Sequence, residues 1–563
     1  MKLFKSMLLL LAVVSLFSAT AAEIFDESNN NITRQDVLRG AITPERAWWD
    51  LSHYHLKVKV DPSNKTITGT NTVSYRVLST QKRLQIELQA PMILEKAVQN
   101  NKKLTVDKDG YSYFITLNEA QEIGSEHQLT LYFSGKPVVA KRAPWDGGIT
   151  WSEDSNGTEF IASSNQGIGA SIWWPNKDHA YDEPDLGTTI SVEVPEHLVD
   201  VSNGRLLSVD HNKQAKTKTY HWQVTNPINN YGININIGDY VHFGEKYQGE
   251  KGQLDMDYWV LKENLAKAKR QFKDARRTIE AFEHWFGPYP FYEDSYKLVE
   301  APYLGMEHQS SVTYGNGYKN GYRGRDLSGT GPGMLFDFII VHETGHEWFA
   351  NNITHVDVAD MWIHESFTNY SESLFLEYHY DKEKAYKYLR GLRALIQNDS
   401  PIIGQYNIHQ EGSSDMYYKG SNMLHTIRQV IDNDAKWRKI LRGLNKTFYH
   451  QTVTTKQVES YIAKLAGKDL SKIFDQYLRD IRIPTFEYLF IDSKLKMRWS
   501  NAVKGFNMPL RVSVNEKVQW LYPTTQWQSV DLPNTSSEIH IDPNFYINSQ
   551  NTLGSLSAIK VFK

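Results

Sequence analysis

The pattern of hydrophobic and polar residues changes twice along the chain, and each change predicts a change of secondary structure. Between about residues 47 and 241, apolar and polar residues alternate over short runs such as 55–60 and 66–75, which is typical of β-strands. From about residue 261 the apolar residues recur with a helical period, as in 268–282. Alternation returns after Pro484 and continues towards the end of the chain.

These patterns predict a multidomain α+β fold with three unlike parts. We expect an N-terminal antiparallel β domain over residues 23–245, a mainly helical domain over 246–482 and a small C-terminal β-sandwich-like domain over 483–563. The length of 563 residues agrees with this division, because a single hydrophobic core stops growing at about 250–300 residues. The first helix of the central part is expected to end at Gly287.

The first 22 residues have the pattern of a secretory signal peptide. Lys2 and Lys5 precede an apolar run from Met7 to Phe17, and small residues follow as far as Ala22. The alternative is a transmembrane anchor, but the run is shorter than the ~20 residues that span a bilayer. We therefore expect a mature protein without a membrane span, exported to a bacterial periplasm or secreted.

Composition excludes several other classes of protein. Lys plus Arg is 62 and Asp plus Glu is 65, which gives a formal charge of −3 and argues against a nucleic-acid partner. The chain contains no cysteine, so disulfides, thiolate metal ligands and a catalytic thiol are all excluded. A hydrophobic fraction of 40% is enough for packed cores and argues against wholesale disorder.

A candidate metal site lies in the helical part. The segment 342–346 fits the pattern His-Glu-x-x-His, which places His342 and His346 on one helix face within reach of one ion. The alternative is two buried histidines that each have an ordinary hydrogen-bond partner. Glu365 follows after an interval of eighteen residues, at the predicted start of a second helix, and is the candidate third ligand.

Two further carboxylates have predicted roles beside these ligands. Glu343 cannot point in the same direction as the histidines, and we expect it to act as a general base on water activated by zinc. Glu372, two turns after Glu365, is placed to orient a metal-bound histidine, unless it lies on a solvated helix face. The oxyanion of such a reaction needs a second hydrogen-bond donor, which a tyrosine could supply. The residues alone predict a metal-assisted hydrolase, but they do not identify its substrate or the tyrosine that would donate the hydrogen bond.

The central region resembles the aminopeptidase N family of gluzincin metallopeptidases in three motifs. His342-Glu343-x-x-His346 with Glu365 resembles the family's zinc signature, and segment 304–308 is similar to its Gly-x-Met-Glu-Asn exopeptidase motif. Segment 417–420 resembles its Tyr-x-Lys-Gly element. The resemblance extends from about residue 46 to the end of the chain and is most specific in the middle.

The resemblance implies a zinc-dependent aminopeptidase with a thermolysin-like catalytic domain, which releases N-terminal residues from peptides with a free N-terminus. One Zn²⁺ would be held by His342, His346 and Glu365, and Glu343 would activate water. Tyr417, rather than Tyr418, would stabilise the oxyanion. The remaining implied residues bind substrate: Glu307 would hold the α-ammonium, the backbone around Gly305 would hold the peptide as an added strand, and Met306 and His308 would shape the pocket for the first side chain.

The chain departs from the family pattern at several positions. Leu304 replaces the first glycine of the exopeptidase motif and His308 replaces its asparagine, which is expected to alter the groove, the pocket or its pH response. The family usually adds a Gln-x-Glu that also holds the amine; Gln166 is the candidate here, and a second acid is not evident. Many relatives carry a further large helical domain after the small β domain, and its absence from this sequence suggests a more open active site that accepts longer peptides.

Two alternatives to an aminopeptidase remain at this stage. One is a zinc endopeptidase or another hydrolase on the same scaffold, such as the lipid-epoxide branch of the family. The other is a catalytically silent peptide-binding protein that keeps zinc for structure. The second alternative is the weaker one, because a structural zinc site closes all four positions and does not need Glu343 or Tyr417.

Overall fold

The structure is a computed structural model, and it describes residues 32–491, 494–514, 516–531 and 539–552. The predicted signal peptide, residues 1–22, lies outside these ranges. The N-terminal part begins with the short helices α1 (Arg34–Gly40) and α2 (Pro44–Ala47) and continues with fifteen strands. These strands are β1 (Trp49–Asp61), β2 (Thr66–Val77), β3 (Arg83–Glu87), β4 (Ile93–Gln99), β5 (Lys102–Lys103), β6 (Thr105–Asp109), β7 (Ser112–Thr116), β8 (Glu126–Gly135), β9 (Gly148–Glu153), β10 (Glu159–Ser164), β11 (Thr188–Pro195), β12 (Val199–Val201), β13 (Arg205–Asn212), β14 (Thr217–Val224) and β15 (Asn236–Gly238).

The N-terminal strands form three sheets around one hydrophobic core. The largest has eight strands in the order β13-β14-β11-β1-β2-β8-β4-β5, and the others have the orders β12-β15-β10-β9 and β3-β7-β6. Alternating burial along β1 and β2 matches the alternation in the sequence. The large sheet differs from the predicted antiparallel arrangement at one pair, because β1 and β11 run parallel from the register Tyr54↔Thr188.

The central part combines a five-stranded sheet, a separate two-stranded sheet and a group of helices. Its strands are β16 (Tyr240–Gly249), β17 (Gly252–Leu261), β18 (Tyr296–Glu300), β19 (Gly305–Met306), β20 (Val312–Tyr314), β21 (Ile353–His355) and β22 (Gln451–Val453). Its helices are α3 (Leu265–Gln271), α4 (Lys273–Phe286), α5 (Phe338–Gly345), α6 (Trp362–His379), α7 (Lys382–Gly391), α8 (Tyr418–Ile431), α9 (Asp434–Thr447), α10 (Thr455–Ala466) and α11 (Ser471–Leu478). The sheet order is β16-β17-β18-β20-β19, so β19 is an edge strand.

Local sequence signals account for several boundaries in this part. Gly287 ends α4 with φ 101°, in the left-handed region where glycine is favoured. Asp337 begins α5 because its carboxylate accepts hydrogen bonds from the backbone N–H groups of Ile339 and Ile340. Strand β16, which spans Tyr240–Gly249, pairs with β17 in the central sheet, so residue 245 lies inside a strand of that sheet.

The C-terminal part forms two small sheets. Its strands are β23 (Thr485–Ile491), β24 (Lys494–Ser500), β25 (Leu510–Val514), β26 (Lys517–Leu521), β27 (Gln528–Asp531), β28 (Ile539–Ile541) and β29 (Asn548–Asn551), in the orders β27-β24-β23-β29 and β26-β25-β28. Buried residues such as Phe486 and Trp499 belong to the same core as the central helices. Within the described ranges, no helix combines the length and the apolar character needed to cross a membrane.

Candidate metal centre and amine-binding site

Two adjacent helices position the candidate metal ligands. His342 lies in the last turn of α5, and His346 follows that helix directly with helical backbone angles. Glu365 lies in the first turn of α6, which is buried from Trp362 to Leu376. The alternative of a solvated helix face at Glu372 is therefore wrong, since Glu372 is fully buried as well.

The three side chains converge on one point. His342, His346 and Glu365 each offer one ligand atom, and these atoms lie within 4.8 Å of one another. Glu365 Oε2 is 3.6 Å from His342 Nε2 and 3.5 Å from His346 Nε2. This buried oxygen has no hydrogen-bond partner among the described residues. Two imidazole nitrogens and one unpartnered carboxylate oxygen fit a zinc ion with a fourth position left open.

Contacts behind the histidines fix which nitrogen faces the centre. His342 Nδ1 lies 2.8 Å from Glu372 Oε1, and His346 Nδ1 lies 3.0 Å from the carbonyl oxygen of Phe349. Tyr388 in turn donates to Glu372 Oε2 at 2.6 Å. Because both Nδ1 atoms face acceptors, both Nε2 lone pairs are directed towards the centre, as a metal-ligating histidine requires.

Glu343 lies beside the candidate ligands and against the edge strand β19. A Cβ atom at position 305 would lie 2.8 Å from Glu343 Oε1 and 2.7 Å from Ile339 Cγ2, so only glycine lets the strand approach so closely. Burial raises the pKa of Glu343 to about 7, a shift that His342 opposes and Glu307 reinforces. The outer edge of β19, at Gly305 and Met306, is unpaired in the five-stranded sheet.

Glu307 is a buried carboxylate next to the same centre. Its side chain is 3% exposed, and ligand atoms of Glu307, Glu343 and His346 lie within 4.8 Å of one another. Gln166 Nε2 donates to Glu307 Oε1 at 2.5 Å and lies 3.3 Å from Glu365 Oε1, so Gln166 joins Glu307 to a candidate zinc ligand. Burial raises the pKa of Glu307, His346 opposes the shift and Glu365 adds to it.

Two residues that sequence reasoning missed also hold Glu307. Tyr231 donates its hydroxyl to Glu307 Oε1 at 3.2 Å, and Asn351 Nδ2 donates to the Glu307 carbonyl oxygen at 2.8 Å. Tyr231 lies in the N-terminal part, 76 residues before Glu307. Asn351 lies five residues after His346, and no local sequence signal assigns a role to either residue.

Tyr417 lies next to the His342 ring. The two rings are 6.1 Å apart and nearly parallel, and Tyr417 immediately precedes α8. Burial, followed by the carboxylates of Glu365 and Glu307, raises the pKa of Tyr417 well above its usual value. The hydroxyl group therefore keeps its proton and can donate a hydrogen bond near the candidate metal. The pKa of Tyr418 is also raised, but chiefly by burial and by the carboxylate of Glu372.

The departures from the family motif lie in the packed interior. Leu304 is 5% exposed and belongs to the central hydrophobic core. Met306 packs in a small cluster that includes Tyr231 and Tyr303. His308 is fully buried, and burial lowers its pKa to about 3.

Comparison with known proteins places this architecture in a family. Residues 51–231 match the sequence model of the Peptidase M1 N-terminal domain, and residues 270–477 match that of the Peptidase family M1 domain. Aminopeptidase N of Lactobacillus helveticus is 23% identical over 88% of this chain and 57% of its own length. Leukotriene A-4 hydrolase of Xenopus laevis is 22% identical over 75% of this chain and 68% of its own length.

A solved structure shows the same fold. The crystal structure of the M1 zinc metallopeptidase from Deinococcus radiodurans superposes with a TM-score of 0.67 at 19% identity, over 78% of this chain and 96% of that chain. The match covers 53–58% of the length of three of the aminopeptidases that the chain resembles in sequence, and less than half of several others. The two matched sequence models together cover more than half of the chain. The chain therefore belongs to peptidase family M1.

Proposed function

We propose that this protein is a zinc-dependent aminopeptidase that releases N-terminal residues from peptides. The observation that carries the proposal is the buried carboxylate of Glu307, which shares one centre with the candidate zinc ligands and Glu343. A buried carboxylate at this position favours a cation, and the free α-ammonium of a peptide is the cation that an aminopeptidase selects. The similarity to proteins named as aminopeptidases supports the same activity.

One Zn²⁺ would be held by His342, His346 and Glu365. Bound there, zinc would supply Lewis-acid chemistry, polarising the scissile carbonyl and acidifying water. Glu343 would accept the proton of the attacking water at its carboxylate and then donate it to the leaving amide nitrogen. Tyr417 would donate its hydroxyl hydrogen to the carbonyl oxygen as negative charge develops there.

Glu307 and the edge strand would position the peptide. Glu307, held by Gln166 and Tyr231, would bind the α-ammonium and so fix cleavage after the first residue. The unpaired edge of β19 would hydrogen-bond the peptide backbone as an added strand. These contacts would orient the first peptide bond towards Glu343, which Gly305 allows to lie directly against the strand.

The proposal is tested with paired substrates and metal exchange. The purified protein should cleave a free-amine peptide after its first residue, should fail on the same peptide with an acetylated N-terminus, and should regain its activity when zinc is restored after chelation. Cleavage of the acetylated peptide would instead identify an endopeptidase. Peptide binding without cleavage, by a protein that retains zinc, would identify a silent binding protein.

We also propose that the protein is exported, because residues 1–22 have the signal-peptide pattern described above. Expression of the full chain in a bacterium, followed by fractionation and N-terminal sequencing, tests this proposal. A mature N-terminus near residue 23 outside the cytoplasm is expected. Full-length protein retained in the cytoplasm would contradict it.

A further inference from the structure

The hydroxyl group of Ser366 joins the helix of a candidate zinc ligand to the backbone beside Tyr417. Ser366 directly follows Glu365 near the start of α6 and is fully buried. Its Oγ donates a hydrogen bond to the carbonyl oxygen of Met416 at 2.7 Å. Met416 is the residue before Tyr417, so this bond holds the peptide unit from which the Tyr417 residue continues.

The Met416 carbonyl oxygen has no other hydrogen-bond donor among the described residues. Met416 ends a single 3₁₀ turn (Ser414–Met416), and the backbone N–H of Ser421 bonds to the carbonyl oxygen of Tyr417 instead. A buried carbonyl oxygen without a donor is costly. Loss of the Ser366 hydroxyl group therefore favours a rotation of the peptide unit between residues 416 and 417.

The two helices meet at Ser366 with no room for a further side-chain atom. A Cβ atom at position 420 would overlap Ser366 Oγ and would lie 2.7 Å from Ser366 Cβ. Only glycine at position 420 allows α8 to approach α6 so closely. The Ser366 side chain therefore sets the spacing between α6, which contains Glu365, and the start of α8, which follows Tyr417.

A second hydrogen bond joins the same two helices one turn further along. Ser421 Oγ donates to Asn369 Oδ1 at 2.7 Å, and Asn369 Nδ2 donates to Glu372 Oε1 at 3.0 Å. Glu372 Oε1 also lies 2.8 Å from His342 Nδ1. The start of α8 is therefore connected to two of the candidate zinc ligands through separate contacts.

The position of the Tyr417 hydroxyl group depends on the backbone that Ser366 holds. The hydroxyl group lies at the far end of a rigid ring, so a small rotation of the preceding peptide unit moves it further than it moves the backbone. An oxyanion donor acts over a hydrogen bond of about 2.7–3.1 Å. A displacement of about 1 Å in such a group can cost on the order of 10²-fold in rate.

We propose that Ser366 is a positioning residue for the reaction, because its hydroxyl group fixes the Tyr417 hydroxyl group relative to the candidate zinc ligands. This inference rests on the proposed function and adds a residue that is neither a candidate ligand nor a contact of the substrate. Ser366 acts through Tyr417. Its loss is therefore expected to change kcat while zinc affinity and KM stay nearly constant.

The test is a double-mutant cycle between Ser366 and Tyr417. With the zinc-loaded protein and an aminoacyl-arylamide, Ser366→Ala should lower kcat by about tenfold, less than Tyr417→Phe does, and KM should stay within about twofold. In the Tyr417→Phe background, Ser366→Ala should change kcat by less than about twofold, since the group that Ser366 positions is then absent. Equal losses in the two backgrounds would overturn the inference.

Ser373→Ala is the matched control for removal of a buried hydroxyl group from α6. Ser373 is a buried serine of the same helix, and its Oγ donates within that helix, to the carbonyl oxygen of Tyr370 at 2.9 Å. Its substitution should change kcat by less than about twofold. A loss of kcat as large as that of Ser366→Ala would contradict a specific role of Ser366.

Zinc affinity separates positioning of Tyr417 from a disturbance of Glu365. In a chelator competition, Ser366→Ala should bind zinc within about twofold of the wild type, because it leaves the ligands and the contacts behind the histidines in place. A loss of zinc affinity of about tenfold or more would show that the substitution acts through Glu365, and it would overturn the inference.

Gly420→Ala tests the close contact from the side of α8. The added Cβ atom should displace the start of α8 and lower kcat at least as much as Ser366→Ala does. With Ser366→Gly in the same chain, the nearest atom to that Cβ in residue 366 is Cα at 3.5 Å, an ordinary contact. The double variant should therefore have a kcat within about threefold of that of Ser366→Gly alone. A full additional loss in the double variant would contradict the proposed contact.

A binding measurement separates this inference from the proposed function. Calorimetry on the zinc-loaded wild type, Ser366→Ala, Tyr417→Phe and the double variant compares two pseudopeptides with a free N-terminus. A phosphinic pseudopeptide has an anionic oxygen in the place of the oxyanion, and a reduced-amide pseudopeptide has no oxygen there. Ser366→Ala should weaken binding of the phosphinic ligand by about tenfold, only where Tyr417 is present, and should leave binding of the reduced amide unchanged.

The two proposals then fail in different ways. Cleavage by the wild type, with equal weakening of both pseudopeptides in Ser366→Ala, would remove the positioning inference alone. No cleavage of any free-amine substrate by the wild type, together with a loss of phosphinic affinity that depends on Tyr417, would remove the aminopeptidase function and keep the role of Ser366.

Discussion

Replacement of Glu307 by alanine should remove the selection of substrates by their free N-terminus. Glu307 is 3% exposed, so an α-ammonium bound to it is taken out of water and paired with a desolvated charge. Removing one partner of such a pair costs about 2–5 kcal/mol. Since about 1.4 kcal/mol corresponds to a factor of ten, kcat/KM on free-amine substrates should fall by roughly thirty- to several thousandfold.

Glu307→Gln isolates the contribution of charge. The amide keeps the size of the side chain and can still accept a hydrogen bond from Tyr231, whose hydroxyl lies 3.2 Å from Glu307 Oε1. An ammonium still donates a hydrogen bond to the neutral amide oxygen, but the attraction between two opposite charges is lost. The loss should therefore be smaller than for Glu307→Ala, on the order of tenfold to a hundredfold.

The assay measures kcat/KM on an aminoacyl-arylamide for the wild type, both Glu307 variants and Glu411→Gln. Glu411 is an exposed acid whose charge is felt by Tyr417, and it makes no described contact with Glu307. Its substitution should change kcat/KM by less than about threefold, because exposed charges are screened. Unchanged activity in Glu307→Ala, or equal losses in Glu411→Gln and Glu307→Ala, would refute selection by direct contact with Glu307.

Three other substitutions at the centre and one beside it have distinct expected outcomes. Glu343→Gln should retain zinc by metal analysis but lose about 10²- to 10⁴-fold in kcat, because it removes the base and leaves the ligands; loss of zinc would show a structural role. Tyr417→Phe should lower kcat by about 10²- to 10³-fold with little change in KM, and a change confined to KM would contradict oxyanion stabilisation. Glu372→Gln should weaken zinc affinity by about 10- to 100-fold in a chelator competition, since it holds His342 Nδ1 at 2.8 Å. His308→Asn should leave the pH profile of kcat/KM unchanged between about pH 5 and 8, because burial lowers the pKa of His308 to about 3 and the ring is already neutral.

The parts of the centre that are close in sequence were the predictable ones. The relative position of the His342 and His346 side chains is set by their four-residue interval on one helix. Glu365 lies in the first turn of the next helix. Helical geometry converts such spacing into a direction, so the sequence alone was enough to bring these side chains together. The contact of Glu372 with His342 follows from the same periodicity, seven residues further along α6.

The periodicity of apolar residues does not predict which distant segments of the chain pair with one another. The alternation in β1 and β11 predicts two strands, but it carries no information on which strands pair or in which direction. The parallel register Tyr54↔Thr188 joins two strands that are more than a hundred residues apart in the chain. For the same reason the strand that crosses residue 245 could not be assigned to the N-terminal or the central sheet from its sequence pattern.

The residues of the candidate metal centre and the residues around Glu307 differ in which parts of the chain supply them. The candidate zinc ligands and Glu343 come from two helices of one part, where a rigid local geometry holds them against small displacements. The groups around Glu307 come from both parts: Gln166 and Tyr231 from the N-terminal one, Asn351 from the central one. Recognition of the amine therefore depends on how the two parts dock.

Docking contacts beside the site are themselves buried hydrogen bonds. Thr354 donates to Glu183 Oε1 at 2.7 Å, and Asn203 Nδ2 donates to the carbonyl oxygen of Gln309 at 2.7 Å. Thr354 lies three residues after Asn351, whose side chain contacts Glu307, and Gln309 lies two residues after Glu307. Each bond therefore ties a segment next to Glu307 to the N-terminal part. Loss of either bond would displace Glu307 relative to Gln166 while α5 and α6 keep the candidate zinc ligands together. Changes at this junction should therefore alter which peptides bind before they alter metal binding.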